Sequence, residues 1–410
     1  MAERQCFSLE ALSFFGETNF QECFCIVFIK KKHSVMKRET HMKEERNYLI
    51  DVIKCLACFG VIMLHVPTKS FHKEIFYIQV MLGRCGVPIF FMISGYFASK
   101  HVKKDPVNVR KWFLKQAVKM LRYYIVFSLI IYVFYRIGGI WSADFLKRIE
   151  FDLNMETIRR LLIFNVPLFS GFLWYLPAYA YCLVIYWTAS HFRKGYQCLV
   201  VLSLILISFY YIFGRYSILF FKEGFPYYGT RNFLVAAVPM FTFGFIISRL
   251  NIRGLTNQNI IVLSVLSVML LFAECMAFCV NKSINHKNNY ICNMLLAFLI
   301  VYYATHNPQI KVEKNNILAV IGRKYSLYIY VFQGIAATVC SRLVIFASQK
   351  NRNMGIFLRT FYHISKPVCV FLMGLLISWI YVKIAGSIVN KVKSDKWKSG
   401  TNFQIRRNKM

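Results

Sequence analysis

Apolar runs alternate with polar, lysine- and arginine-rich stretches along almost the whole chain. Runs at about residues 48–66, 78–98, 121–140, 173–192, 196–213, 232–248, 260–280, 289–305, 326–346 and 366–386 each approach the roughly 20 residues that a transmembrane helix needs. With no water to satisfy backbone groups in hydrocarbon, such runs must be helical. The pattern predicts an all-α, polytopic membrane protein, a bundle of about ten transmembrane helices. An even number of spans puts both termini on one side of the membrane.

Composition agrees and excludes other classes. The 410 residues are 57% hydrophobic and 17% aromatic, which rules out a disordered chain and an ordinary soluble domain. Lys+Arg number 51 against 18 Asp+Glu, a formal charge of +33. In a soluble chain that balance points to nucleic acid. Here the basic residues fall between apolar runs and no stacking module or groove motif accompanies them. They orient the protein and meet anionic lipid, so membrane lipids are expected partners and nucleic acid is not. Most of the 13 cysteines lie in apolar runs and behave as small hydrophobes. Cys55 and Cys58 have metal-site spacing but lack a second ligand pair, and the histidines form no ligand spacing, so no metal is expected.

Charge asymmetry sets the sidedness. The segment from Lys100 to Arg122 carries eight basic residues against one acid, Asp105, and the tail from Lys391 is also basic. The stretch between the third and fourth runs instead mixes Lys147, Arg148, Arg159 and Arg160 with Asp144, Glu150, Asp152 and Glu156. The positive-inside rule therefore makes both termini cytoplasmic. Residues 1–44 read as an N-terminal extension, an over-extended start or a dispensable segment, because Met42 opens MKEERNYLID just before the first run. Residues 45–390 form the membrane domain, and 391–410 a basic cytoplasmic tail.

Ionisable residues inside apolar runs are costly and mark functional positions by default. In YLIDVIKCLACFGVIMLHV, Lys54 and His65 return to the same helix face about three turns and roughly 16 Å apart, with Asp51 close to that face. Asp51 and Lys54 suit either an interfacial anchoring pair or the lining of a polar interior. For His65 the functional reading is preferred, since an imidazole takes a hydroxyl proton near neutral pH. In LGRCGVPIFFMISGYF, Arg84 enters an apolar run together with Gly86, Pro88 and Gly95, residues that let a helix bend and backbones approach closely. Glu274, in the middle of the seventh run, serves either function or structural pairing. Trp174 and Tyr175 fit an interfacial aromatic belt as well as a sugar-stacking platform.

YLIDVIKCLACFGVIMLHV followed by GRCGVPIFFMISGYF strongly resembles the opening of the acyltransferase family 3 membrane proteins, which O-acylate, usually O-acetylate, cell-envelope glycans. The resemblance continues through FLWYLPAYAYCLVIYW, RNFLVAAVPMFTFGFII and IGRKYSLYIYVFQ, in order, over about residues 45–390. By position it implies that His65 is the catalytic histidine, Arg84 the second-helix arginine, and Ser94 with Gly95 the Ser-Gly turn. It gives Arg231, otherwise a snorkelling residue, a substrate-binding role. The family's first-helix arginine is Lys54 here, which keeps the charge but not the bidentate fork. Gln333 stands where the family often has histidine, and a carboxamide can hydrogen-bond a sugar but cannot shuttle a proton. Arg84 then meets the thioester oxygen or binds a phosphate of the donor.

The resemblance implies an enzyme of the bacterial inner membrane with no bound cofactor. Acetyl-CoA is the expected donor, and a glycan or lipid-linked sugar the acceptor. The alternative is a transport module without chemistry, similar to the membrane domain of serine-racemase-type resistance proteins. A purely structural scaffold leaves the stripe of Asp51, Lys54 and His65 unexplained.

Overall fold

The computed structural model describes residues 46–66, 73–136, 154–169, 171–222, 225, 227–250, 255–279, 289–307, 310–350 and 352–407. Among them every regular element is a helix. The extension expected over residues 1–44 lies outside the described residues.

The helices are α1 (Tyr48–His65), α2 (Lys73–Gly83), α3 (Gly86–Lys104), α4 (Val109–Arg136), α5 (Met155–Phe164), α6 (Tyr175–Ala189), α7 (Gly195–Tyr210), α8 (Ser217–Phe221) and α9 (Tyr227–Thr230). They continue as α10 (Val238–Ile247), α11 (Asn257–Cys279), α12 (Ile291–His306), α13 (Ile317–Lys324), α14 (Ser326–Lys350) and α15 (Arg352–Arg407). A 3₁₀ turn, Gly171–Trp174, precedes α6, and π turns occupy Tyr211–Arg215 after α7 and Phe233–Ala237 before α10.

Within the described residues every predicted apolar run is largely helical, the second one broken between α2 and α3, and the helices are not equal in length. Among the described residues seven segments are long and apolar enough to cross a membrane: Tyr48–His65, Ile78–Lys104, Val109–Tyr135, Gly195–Arg215, Asn257–Ala277, Ser326–Ala347 and Ile364–Ile388. The runs predicted at 173–192, 232–248 and 289–305 make shorter helices, α6 at 15 residues, Phe233–Ile247 and α12 at 16. Sixteen residues reach only about 24 Å, less than the roughly 30 Å hydrocarbon core. The difference has a physical reason. In α10, Val238, Pro239, Met240, Phe241, Thr242, Gly244, Phe245 and Ile247 are all buried, so protein covers its ends and irregular backbone is tolerated there. The long helices Gly195–Arg215, Asn257–Ala277 and Ile364–Ile388 are each only 22% buried and turn apolar side chains outward, as lipid-facing helices do.

The basic segment from Lys100 onward is helical, not a loop. α3 runs to Lys104 and α4 starts at Val109. Between them Asp105 Oδ1 accepts from the Asn108 N–H at 3.2 Å and closes a short turn. Most of its basic residues therefore project from two helix ends.

Gly95 and Gly244 decide how α3 and α10 cross. A methyl group on Gly95 would collide with the Phe241 carbonyl, and one on Gly244 with the Met92 carbonyl. Only residues without a Cβ let these two backbones touch. Beside that contact, Thr242 Oγ1 accepts from the Tyr186 hydroxyl at 3.0 Å and from the Ser203 hydroxyl at 2.9 Å, while Thr242 itself donates to the Val238 carbonyl at 2.8 Å. These three buried hydroxyls thus satisfy one another inside the bundle, as a water-free interior favours.

Residues Arg46–Ser378 form one compact unit, and the helix from Trp379 onward belongs to a second. In the latter, Lys383 Nζ lies 4.1 Å over the Trp379 ring.

Candidate active site

Arg84 sits in the break between α2 and α3. The Arg84 N–H bonds the Val80 carbonyl at 3.2 Å and the Cys85 N–H bonds the Leu82 carbonyl at 3.1 Å, so the chain turns tightly there. Asn293 of α12, fully buried, donates from Nδ2 to the Met81 carbonyl at 2.9 Å and to Cys85 Sγ at 3.2 Å. On the other side Gly83 and Gly86 lie against the backbone of Gly60 and Ala57 in α1. This clamp holds the turn and aims the buried Arg84 guanidinium inward.

His65 ends α1. Its ring meets the Phe172 ring edge-on at 4.8 Å and 72°. Its Nε2 is buried and has no hydrogen-bond partner. Arg231 and Arg84 both lie within electrostatic reach of the ring. Phe172 is fixed by its own carbonyl, which accepts from the Tyr330 hydroxyl, and that hydroxyl in turn accepts from the Tyr175 N–H at 3.3 Å. Two residues on, Trp174 is buried with its Nε1 unpartnered, and the Arg231 guanidinium lies 5.0 Å over its ring.

Arg84, Trp174, Tyr210, Arg231 and Asn289 supply polar walls to one small cavity, with Leu64, Val87 and Met240 as apolar walls. About 20 Å³ of it is open to the centre of a water molecule, room for about one water. A larger group enters only by displacing side chains.

Three of the neighbours have no counterpart among the candidates from sequence. Tyr210 accepts from the Asn289 N–H at 2.9 Å, and both residues face the cavity. Arg215, 2% exposed, places its guanidinium 3.7 Å over the Tyr290 ring and within electrostatic reach of Arg84. It closes a π turn, a distortion of the helix often found at functional sites. Arg215 ends an apolar run and so reads as a flanking charge, while Tyr210 is one of 25 tyrosines and carries no contrast.

The predicted residues separate into groups. His65, Arg84, Trp174 and Arg231 come together. Ser94 and Tyr175 form a pair beside them: Ser94 Oγ donates to the Phe90 carbonyl at 2.8 Å and shares a hydrogen bond with the Tyr175 hydroxyl at 3.0 Å. Tyr175 packs its ring 4.6 Å from Phe91. Asp51 and Lys54 do not join His65. Asp51, 1% exposed, accepts from Arg46 Nε at 2.9 Å and Nη2 at 3.1 Å and from Lys54 Nζ at 3.2 Å. Lys54 Nζ also lies 5.1 Å over the Phe97 ring. The stripe on α1 therefore divides into an ion-pair cluster at its start and the histidine at its end, roughly 16 Å apart along the axis. Glu274 accepts from the Ile291 N–H at 3.2 Å and the Cys292 N–H at 3.3 Å, so its contacts are those of a cap on the positive end of α12. Gln333 is fully buried, and neither atom of its carboxamide has a hydrogen-bond partner.

Helices long enough to span a bilayer, enclosing a histidine and arginines, define a polytopic membrane protein with a polar site inside the bundle. The acyltransferase family 3 model, described as an acyltransferase domain, matches residues 47–383, and the chain belongs to that family. No curated protein and no solved structure matches it.

Proposed function

We propose that the protein is a membrane O-acyltransferase that moves an acyl group, an acetyl group from acetyl-CoA, to a hydroxyl of a cell-surface polysaccharide or its lipid-linked precursor. Family membership supplies acyl transfer. The observation that carries the assignment of roles is the buried, unpartnered Nε2 of His65 within electrostatic reach of Arg84 and Arg231. A base must have a free lone pair where the hydroxyl arrives, and an oxyanion needs a fixed positive donor nearby.

In this mechanism His65 Nε2 takes the hydroxyl proton as the hydroxyl oxygen bonds to the thioester carbonyl carbon. Negative charge develops on the carbonyl oxygen beside the Arg84 guanidinium. The C–S bond then breaks, and the CoA thiolate leaves and recovers the proton from His65. Trp174 gives a sugar an apolar face to stack on, and Arg231 over that ring adds a donor for its oxygens. The donor is a co-substrate, collected on the cytoplasmic side by the basic ends of α3 and α4. With both termini in the cytoplasm of a bacterial inner membrane, His65 and Arg84 lie towards the outer leaflet, which suits a glycan acceptor on or near the far side.

The test is transfer of labelled acetyl groups from acetyl-CoA to purified surface polysaccharide by the full-length protein in nanodiscs. His65→Ala is expected to lower the rate by about 10²–10⁴-fold while leaving abundance and insertion unchanged. A near wild-type rate in that variant would overturn the role given to His65.

A further inference from the structure

We infer that Gln333 binds two neighbouring hydroxyls of the acceptor, the one that is acylated and the one beside it, so that the acceptor is a vicinal diol. This rests on the O-acyl-transfer reading above. Gln333 is fully buried, yet neither its Nε2 nor its Oε1 has a hydrogen-bond partner. Buried side-chain polar atoms nearly always find one, and a carboxamide with both ends open is an unusual cost to retain. An apolar side chain would fill the same volume without it.

The packing puts this amide in the same layer as the base. Helices α1 and α14 run side by side in the same direction. Cys58 Sγ donates to the Ser326 carbonyl at 3.5 Å. Seven residues further along each helix, two turns on and back to the same face, come His65 and Gln333. Phe172 fixes that register independently. Its ring meets the His65 ring at 4.8 Å, and a Cβ added to Gly334 would come within 3.2 Å of the same ring. Thus one layer of the bundle holds two buried, unpartnered groups, the imidazole Nε2 and the carboxamide.

The donors and acceptors then assign a partner to each end of the carboxamide. The reacting hydroxyl must give its proton to His65 Nε2, so its oxygen is free to accept from Gln333 Nε2–H. That leaves Gln333 Oε1 needing a donor, which the reacting hydroxyl cannot also provide. A hydroxyl on the adjacent carbon provides it. During transfer the reacting oxygen bonds to the acyl carbon, its proton moves to His65 and later to the departing thiolate, and Gln333 neither gains nor loses a proton. A neutral amide orients the diol without competing with His65 as a base. Gln333 is a binding residue for the acceptor, and His65 remains the base.

The experiment uses full-length protein in nanodiscs, acetyl-CoA, and purified surface polysaccharide as the acceptor probe. In Gln333→Met, KM for the polysaccharide should rise about tenfold or more, because a site built for hydroxyls loses its partners. KM for acetyl-CoA and the pH profile of kcat should stay as in the wild type. The unliganded variant should unfold at the same or a higher temperature, since it sheds unpaired polar atoms. A second arm uses simple glycosides matched to the acylated sugar, intact or lacking the hydroxyl next to the acylated one. The wild type should discriminate against the deoxy glycoside and Gln333→Met should not. An unchanged polysaccharide KM in Gln333→Met, a marked fall in its unfolding temperature, or equal use of both glycosides by the wild type would each overturn the inference. If the wild type transfers no acetyl group to the polysaccharide, the O-acyl-transfer reading itself fails and this one falls with it.

Discussion

At position 84 a lysine would keep the charge but not the shape. The turn that carries Arg84 is clamped by Asn293 on one side and by the Gly83 and Gly86 contacts on the other, so the guanidinium's fork is presented in a fixed direction. Lysine offers one compact, mobile ammonium instead. Arg84→Lys is therefore expected to lose about 10²–10³-fold in kcat, the usual cost of removing one oxyanion donor. Its abundance in membranes should match the wild type. The assay is the same acetyl transfer to polysaccharide, and a variant as fast as wild type would reduce Arg84 to a charge that merely anchors the turn. His65 and Arg84 were legible in the sequence because an ionisable residue inside an apolar run has no bland company. Gln333 was legible only through the resemblance, since a single amide carries little contrast. Arg215 was hidden by its place at the end of a run, where basic residues are ordinary. The division of the α1 stripe was also hidden, because helical periodicity fixes direction and not what stands opposite. Asp51 faces Arg46 and Lys54, whereas His65 faces Phe172.

Among elements, periodicity and hydropathy located the helices but not their lengths. Hydropathy does not distinguish an α turn from the π turn Phe233–Ala237 or the 3₁₀ turn Gly171–Trp174, so the predicted spans absorbed both. What limits these helices is contact with neighbours. The crossing of α3 and α10 is the clearest case, because the Phe241 carbonyl occupies the space a side chain at Gly95 would need. Gly95→Leu is expected to cost at least about 1–3 kcal/mol through overpacking of backbone that cannot move aside, seen as a lower unfolding temperature and reduced abundance in membranes. Wild-type stability in that variant would mean the helices separate easily and the crossing is not tight. Glu274 gives a contrasting case at a helix end. Glu274→Gln keeps an acceptor for one of the Ile291 and Cys292 N–H groups, which bond separate carboxylate oxygens, but sets an amide donor before the other and removes the charge facing the positive end of α12. A loss of about 1–3 kcal/mol in stability is expected, with kcat unchanged at saturating substrates. A collapse of kcat with stability intact would show that the carboxylate takes part in the chemistry.

For the whole molecule, mechanism depends on which side of the membrane the His65 end of α1 faces. The fold constrains the answer before any charge is counted. Position 107, 87% exposed, precedes α4, and Arg160, whose side chain is 60% exposed, follows it. α4 is long and apolar enough to cross, and these two positions are therefore expected on opposite sides. Charge then chooses between the two orientations, since Lys103, Lys104, Arg110 and Lys111 surround position 107, and Arg159 and Arg160 are paired with Glu156. Position 107 is expected in the cytoplasm and position 160 outside, with His65 one span away from the cytoplasmic start of α1. Val107→Cys and Arg160→Cys can be treated separately with an impermeant maleimide in intact cells and compared with the parent chain's background labelling. Arg160→Cys should react at once, and Val107→Cys only after the cells are opened. Loss of Arg160 removes one surface ion pair, which contributes little to folding. The reverse pattern would put His65 on the cytoplasmic side and remove the reason for proposing transfer to a glycan beyond the membrane. Labelling of both in intact cells would mean that α4 does not cross at all.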